Sequence, residues 1–311
     1  MSEATIIRQF GAVARHMGIR TSLRNGAGNS INRVGRVWII KPRWLKLPVM
    51  KVFRIKNVAC RDRGMRRSRL AVCMMVMFSI MPPASAGGSA AQTCLSVNRD
   101  LSLGTRLPRL AARIDAGGPV RIVAIGSSST VGLWMVRPSL TYPQVMKREL
   151  ETLWPGVAFE IVNSGRVGDT IPGNIKRFRK GVFAHRPDLV IWQLGSNDIA
   201  WGGNMDGVRE EIDAGVASLK ATGVDLILMD LQYAPQVLAS PHHAAMEVLI
   251  RVAALQEGVG LFSRFEAMLK SVRAGVSDRA LVALDGLHNS REGYDCIGRL
   301  LARAIHAAVQ E

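Results

Sequence analysis

A chain of 311 residues, 48% of them hydrophobic and 21% charged, holds enough apolar side chain for a sizeable core and is not disordered throughout. Its formal net charge of +17 is unevenly spread: 17 Lys and Arg stand against 2 Asp and Glu in residues 1–86, and 24 against 22 in residues 87–311, which leaves the larger part at +2. A basic excess confined to a removable leader carries no information about the mature chain's partners, so no nucleic-acid partner is expected for it.

The leader has the order of a secretory signal peptide. Residues 65–69 (MRRSR) are positive, residues 70–81 (LAVCMMVMFSIM) are apolar, and residues 82–86 (PPASA) end in a small-x-small pattern. The apolar run falls short of the about 20 residues that a membrane-spanning helix needs. Export with cleavage after Ala86 is expected, which places the mature chain in the periplasm or outside the cell, with membrane contact only through the signal. Residues 1–64 precede the positive stretch where a signal peptide begins, and they mix basic residues with Trp38, Trp44 and Phe53 without a sustained period. They read as an N-terminal extension outside the native translated protein, which would start at Met65. A basic arm for a membrane surface or nucleic acid is the alternative.

Cys60 and Cys73 belong to this leader, which leaves Cys94 and Cys296 in the mature chain. An oxidising compartment pairs such thiols, although spacing alone does not decide whether these two meet. No group of Cys and His has metal-ligand spacing, and neither a metal nor another cofactor is expected.

After the leader, residues 87–106 begin small and polar and read as a linker to a domain over residues 107–311. Residues 107–116 have helical spacing and stop at Gly117-Gly118. Residues 120–125 (VRIVAI) are short, β-branched and apolar on both faces, as in a strand buried within a parallel sheet. Helices are expected over residues 142–154, 175–184, 206–221, 241–257 and 263–273, with a last one running to residue 309. The helix over 175–184 is expected to keep its basic residues in water. Strands are expected over 158–162, 188–194, 224–231 and 259–262. Strands alternating with helices at this spacing form βαβ units, so the expected fold is α/β, a three-layer α/β/α sandwich around a five-stranded parallel, flavodoxin-like sheet.

Three small or polar loops follow predicted strands directly: GSSST at 126–130, NSGRVGDT at 163–170 and GSND at 195–198. Loops at the carboxyl ends of parallel strands share one edge, where ligands bind, so Ser128, Gly168 and Asn197 converge. Acyl transfer by a serine needs a nucleophile, a base, a group that orients the base and donors for the oxyanion. His288 is the candidate base, with Asp285 three residues earlier to fix its tautomer. Gly168 offers a bare backbone N–H and Asn197 a side-chain amide.

These residues resemble the SGNH hydrolases, the GDSL family of serine esterases and lipases, over roughly residues 120–305. Four blocks stand in the family's order. GDSxT corresponds to Gly126-Ser127-Ser128-Ser129-Thr130, with Ser127 in place of the aspartate; NxGxxGxT corresponds to 163–170, GxND to 195–198 and DxxH to Asp285-Gly286-Leu287-His288. The resemblance implies a nucleophile at Ser128, a base at His288 oriented by Asp285, and an oxyanion hole from Ser128, Gly168 and Asn197. The G-x-S-x-G elbow of α/β-hydrolases is absent from the sequence.

Trp134 and Trp201 lie a few residues beyond Ser128 and Asn197, where they line a substrate pocket or pack the fold. His242 and His243 follow Pro241 at a helix start and suit capping, while His185 and His306 lack a nearby acidic partner. Tyr142 and Trp192 read as core. The expected activity is hydrolysis of small acyl esters, O-acetyl groups on a polysaccharide or cell-wall glycan among them, through an acyl-enzyme. An O-acyltransferase using the same acyl-enzyme and a non-catalytic glycan-binding module are the alternatives. The expected partner is a small acyl ester or an acylated carbohydrate.

Overall fold

Five parallel strands in the order β2-β1-β3-β4-β5 form the centre of the protein. They are β1 (Val120–Gly126), β2 (Phe159–Gly165), β3 (Leu189–Gln193), β4 (Asp225–Met229) and β5 (Gly260–Phe262). The computed structural model describes residues 89–135, 137–200 and 203–310. The basic tract 1–64, the expected export signal 65–86 and Trp201 lie outside the described residues.

Burial follows strand position. In β3 all five residues are buried, and in β1 only Arg121 is partly exposed, whereas the edge strand β2 keeps only Phe159 fully covered. Continuous apolar runs are what a strand covered by helices on both faces requires. The helices are α1 (Ala90–Val97), α2 (Pro108–Asp115), α3 (Ser128–Val131), α4 (Tyr142–Leu153), α5 (Ile171–Lys176), α6 (Phe178–Gly181), α7 (Ser196–Ala200), α8 (Val208–Lys220), α9 (Pro235–Leu238), α10 (His243–Glu257), α11 (Arg264–Arg273), α12 (Asp278–Leu281) and α13 (Arg291–Gln310). One layer is built on α4 packed along α13, and another on α8 packed against α10. Tyr142 and Trp192 are fully buried. The chain steps from β1 outward to β2 and then returns to the other side of β1 as β3, so the loops after β1 and β3 diverge. That reversal leaves a crevice at the carboxyl edge of the sheet.

Two expectations need correction. Much of the stretch 87–106 is folded onto the domain and is not a linker. Ser89 and Gln92 make a reciprocal capping box at the start of α1, and Ala91, Cys94 and Leu95 are buried at helical spacing. Cys94 is bonded to Cys296 of α13, with Cα atoms 6.1 Å apart, and the Leu103 carbonyl accepts a hydrogen bond from Leu261 N of β5 at 3.0 Å.

The helix expected over 175–184 is broken into α5, α6 and a 3₁₀ turn at Phe183–His185. Lys176, Arg179 and Lys180 are exposed as expected, but Arg177, at the break, turns inward. Its guanidinium donates to Asp169 Oδ2 (2.6 Å), Ser164 O (2.6 Å) and Gly126 O (3.0 Å). Those acceptors belong to the segments 126–130 and 163–170 that carry the candidate site.

Candidate active site

The turn after β1 is tight because Gly126 has no side chain: a Cβ there would lie 2.5 Å from Thr130 Oγ1 and 2.7 Å from Gln193 Oε1. Gln193, the last residue of β3, organises the turn. Its Oε1 accepts from Ser127 N (2.9 Å), Ser127 Oγ (2.9 Å) and Thr130 Oγ1 (3.1 Å). Ser128 is then the first residue of α3, and its backbone N–H has no acceptor among the described residues. An unpaired N–H at a helix start attracts negative charge.

His288 sits in the loop between α12 and α13. That loop is closed by a bridge between Val282 and Asn289 and by a bond from Ala283 N to His288 O of 2.7 Å. Ser128 Oγ lies 2.7 Å from His288 Nε2, and His288 Nδ1 lies 2.5 Å from Asp285 Oδ2. The other carboxylate oxygen, Oδ1, accepts from Leu287 N (3.0 Å) and His288 N (3.1 Å), which holds the carboxylate in place beside the ring. Burial pushes the Asp285 carboxyl up, but the His288 ring and these two backbone N–H groups outweigh it and hold the group well below the usual carboxylate range. Asp285 therefore remains an anion beside the imidazole. Gln236 Nε2 donates to Asp285 O (2.6 Å) and Gln232 Nε2 to Leu287 O (3.1 Å), so two buried or half-buried amides pin the turn from behind.

The second and third blocks reach the same edge. Asn163 Nδ2 donates to Thr130 O at 2.7 Å, and Arg166 N donates to Gly126 O at 3.0 Å, which ties the loop after β2 to the turn that carries Ser128. Gly168 has a positive φ of 73°, and no atom lies within 4 Å of where its Cβ would be. Its N–H has no acceptor among the described residues. Asn197 Nδ2 donates to Asp169 O at 2.8 Å, which joins the two loops. An amide nitrogen carries two hydrogens, so this bond orients Asn197 and leaves one donor over. Asp198 has a supporting part: its Oδ1 accepts from Ile171 N at 2.9 Å, and burial raises its pKa to about 6.

Trp134 has a contact that sequence reading did not anticipate. Its Nε1 donates to Asp285 Oδ2 at 2.7 Å, the same oxygen that faces His288. Its φ of 71° is in the left-handed region, and the side chain is 52% exposed. A bulky residue held at positive φ is strained, and such strain gathers at functional sites. The polar edge of the indole is thus fixed while much of its surface faces solvent. Gln193 and Arg177 were missed as well. Gln193 was the more legible of the two, since a polar residue ending an apolar strand needs a buried partner.

Residues 93–311 match the non-GDSL lipase-like family. No curated protein sequence is detectably similar to the chain. Among solved structures, one similar to it is a two-domain esterase active on acetylated mannans (TM-score 0.60, 19% identity, 68% of this chain and 57% of that one). The chain therefore spans little more than half of that enzyme. Another is a lipase/acylhydrolase from Enterococcus faecalis (TM-score 0.50, 25% identity, 60% of this chain and 96% of that one). A third is a catalytic mutant of an acetylxylan esterase from Geobacillus stearothermophilus (TM-score 0.51, 21% identity, 60% of this chain and 94% of that one). With Ser127 where the GDSxT block has its aspartate, and with the sheet order and match described above, the chain belongs to the non-GDSL lipase-like family and has the SGNH hydrolase fold.

Proposed function

We propose that the protein is an exported serine esterase that removes small acyl groups, acetyl foremost, from a carbohydrate through an acyl-enzyme on Ser128. The observation that carries this reading is the continuous row from Ser128 Oγ to His288 Nε2 (2.7 Å) and from His288 Nδ1 to Asp285 Oδ2 (2.5 Å). In that row the imidazole takes the Ser128 proton as Oγ attacks the ester carbonyl carbon. Asp285, an anion throughout, stabilises the imidazolium that forms. The carbonyl oxygen becomes an oxyanion facing Ser128 N–H, Gly168 N–H and the second hydrogen of Asn197 Nδ2. Donors fixed before the reaction stabilise the tetrahedral state more than the bound ester. Collapse expels the sugar hydroxyl, which takes the proton from His288. Water, deprotonated by the same imidazole, then releases the acid and restores Ser128.

The carbohydrate part of the reading is supported by two structural neighbours that act on acetylated mannan and acetylated xylan, and by the exposed indole of Trp134 beside the row. Trp201 joins Trp134 as a candidate pocket residue. Export rests on the order of charge, apolar run and small residues in 65–86. The test is to incubate the mature protein with nitrophenyl esters of increasing chain length and with acetylated mannan and xylan. Free acetate from a glycan, and loss of rate beyond butyryl, fit the proposal. Transfer of acetyl to an added sugar with no free acetate makes the protein an acyltransferase instead.

A further inference from the structure

At the edge of the sheet where the strands begin, opposite Ser128, four arginines gather about Asp188. A cavity of about 400 Å³ is lined there by Arg109, Arg113, Arg121, Arg186 and Asp188, with Pro119 beside them. Arg109 and Arg113 are one turn apart on α2, Arg121 is the second residue of β1, and Arg186 and Asp188 lead into β3. At about 3.3 Å per residue, the length of β1 puts this edge about 20 Å from the nucleophile turn.

The lining's own interactions use only part of its charge. Arg121 is fully engaged, with Glu160 Oε2 at 2.8 Å from Nε and 2.7 Å from Nη2, and His185 O at 2.9 Å from Nη1. Asp188 Oδ2 already accepts from Arg121 N at 2.9 Å, and the Nε atoms of Arg109 and Arg113 each stand 3.9 Å from its carboxylate. Arg113 Nε donates to Pro119 O at 3.0 Å, and Arg109 Nη1 reaches Gly223 O at 3.4 Å. Among the described residues, no acceptor faces either Nη atom of Arg113 or the guanidinium of Arg186, whose backbone N–H alone is paired, with Phe183 O at 3.0 Å. Arg186 is moreover held at φ 47° and ψ 58°, directly before Pro187. A residue with a side chain is strained in that left-handed conformation, and the following proline favours extended backbone. Since residues 87–311 carry 24 basic against 22 acidic side chains, the three guanidinium groups of Arg109, Arg113 and Arg186 around the one carboxylate of Asp188, with Arg121 matched by Glu160, are a local concentration and not a share of a general excess.

We propose that this cavity binds a tetrahedral oxyanion, phosphate, either free or as the monoester of a sugar. Guanidinium groups approaching from α2 and from the lead-in to β3 present donors from two sides, while Arg121 of β1 stays with Glu160. That suits a phosphoryl group with acceptors all round better than a carboxylate with two oxygens in one plane. The volume lies within the range of about 300–1,000 Å³ usual for small-molecule sites, so it admits a sugar attached to the phosphate. The site does not depend on the esterase reading, because none of its residues belongs to the Ser128 row.

Isothermal titration of the whole purified protein tests it, using inorganic phosphate, glucose 6-phosphate and glucose at constant ionic strength. Wild type and the Ser128→Ala protein both bind phosphate saturably, and glucose gives no heat. Arg186→Gly, in which glycine adopts the positive φ without strain, and Arg113→Gln each weaken binding by about tenfold, the loss of one charge-assisted pair. Both variants keep wild-type ester turnover, and Arg186→Gly melts no lower than wild type. Tighter binding of glucose 6-phosphate than of phosphate assigns the sugar monoester, and equal binding assigns the free ion. No saturable binding of either anion up to about 10 mM, a free energy too weak to indicate a built site, overturns the proposal. So does an affinity left unchanged in both variants.

Discussion

Replacing Trp134 by phenylalanine keeps an aromatic ring beside the Ser128 row and removes one hydrogen bond, the 2.7 Å contact from Nε1 to Asp285 Oδ2. That oxygen also faces His288 Nδ1 at 2.5 Å, so the indole helps to set the direction of the lone pair that orients the imidazole. A hydrogen bond to a charged group contributes about 1.5–3 kcal/mol. The Asp285 side chain is 26% exposed, and water replaces part of what is lost, which puts the effect at the lower end. About 1.5 kcal/mol corresponds to about a tenfold fall in kcat. Since the bond acts through Asp285 and not on the ester, KM stays within about twofold. Steady-state kinetics on nitrophenyl acetate, with a thermal melt of the same preparation, separates positioning from structure. A fall in kcat at unchanged KM and melting temperature is the expected outcome. Wild-type kcat in Trp134→Phe, or a loss of activity that only tracks a loss of stability, refutes the positioning role.

The remaining expectations concern the oxyanion donors, the disulfide and pH. Asn197→Ala lowers kcat by about 10²–10³ with little change in KM, the effect of removing one oxyanion donor; a stable, fully active variant contradicts the assignment. The unreduced protein shows no titratable thiol at Cys94 or Cys296, and Cys296→Ser lowers its stability by about 2–5 kcal/mol because the bond closes a loop with a sequence separation of 202; free thiols at these positions in the unreduced protein contradict it. Burial raises the carboxyls of Asp198 and Asp230 from 3.8 to about 6 in the folded state. A raised folded pKa contributes stability that is full below the unfolded value and is lost as pH rises through the folded one. The depressed Asp285 carboxyl stays ionised over that interval and does not oppose the trend. The melting temperature is therefore higher at about pH 5 than at about pH 7.5, and the reverse order counts against these burial effects.

What the sequence made legible follows from how local each signal is. β1, β3 and β4 are read from short apolar runs because both faces are covered, and the glycines and polar residues that follow them mark the site edge. β2 was expected to end at residue 162 but runs to Gly165, where Asn163, Ser164 and Gly165 pair in register with Ala124, Ile125 and Gly126. Polar residues at a strand's end read as loop until their partners are known. The break at Arg177 was illegible for a similar reason: a basic residue in an amphipathic stretch reads as solvated, and only Asp169, Ser164 and Gly126 draw it inward. α1 gains its stability from α13 and from Cys296, about two hundred residues away. The Trp134–Asp285 bond spans 151 residues and leaves no mark in spacing. The four blocks, by contrast, carry their chemistry in the residue types themselves.

The most direct measurement is mass spectrometry of the purified protein after reaction with a serine-directed fluorophosphonate, in wild type and in the Ser127→Ala, Ser128→Ala and Ser129→Ala variants. A nucleophile activated by His288 at 2.7 Å gives one adduct, on the peptide containing Ser128. It persists in Ser127→Ala and Ser129→Ala and disappears together with ester turnover in Ser128→Ala. An adduct that survives in Ser128→Ala, or turnover without it, contradicts the assignment of Ser128 as the nucleophile.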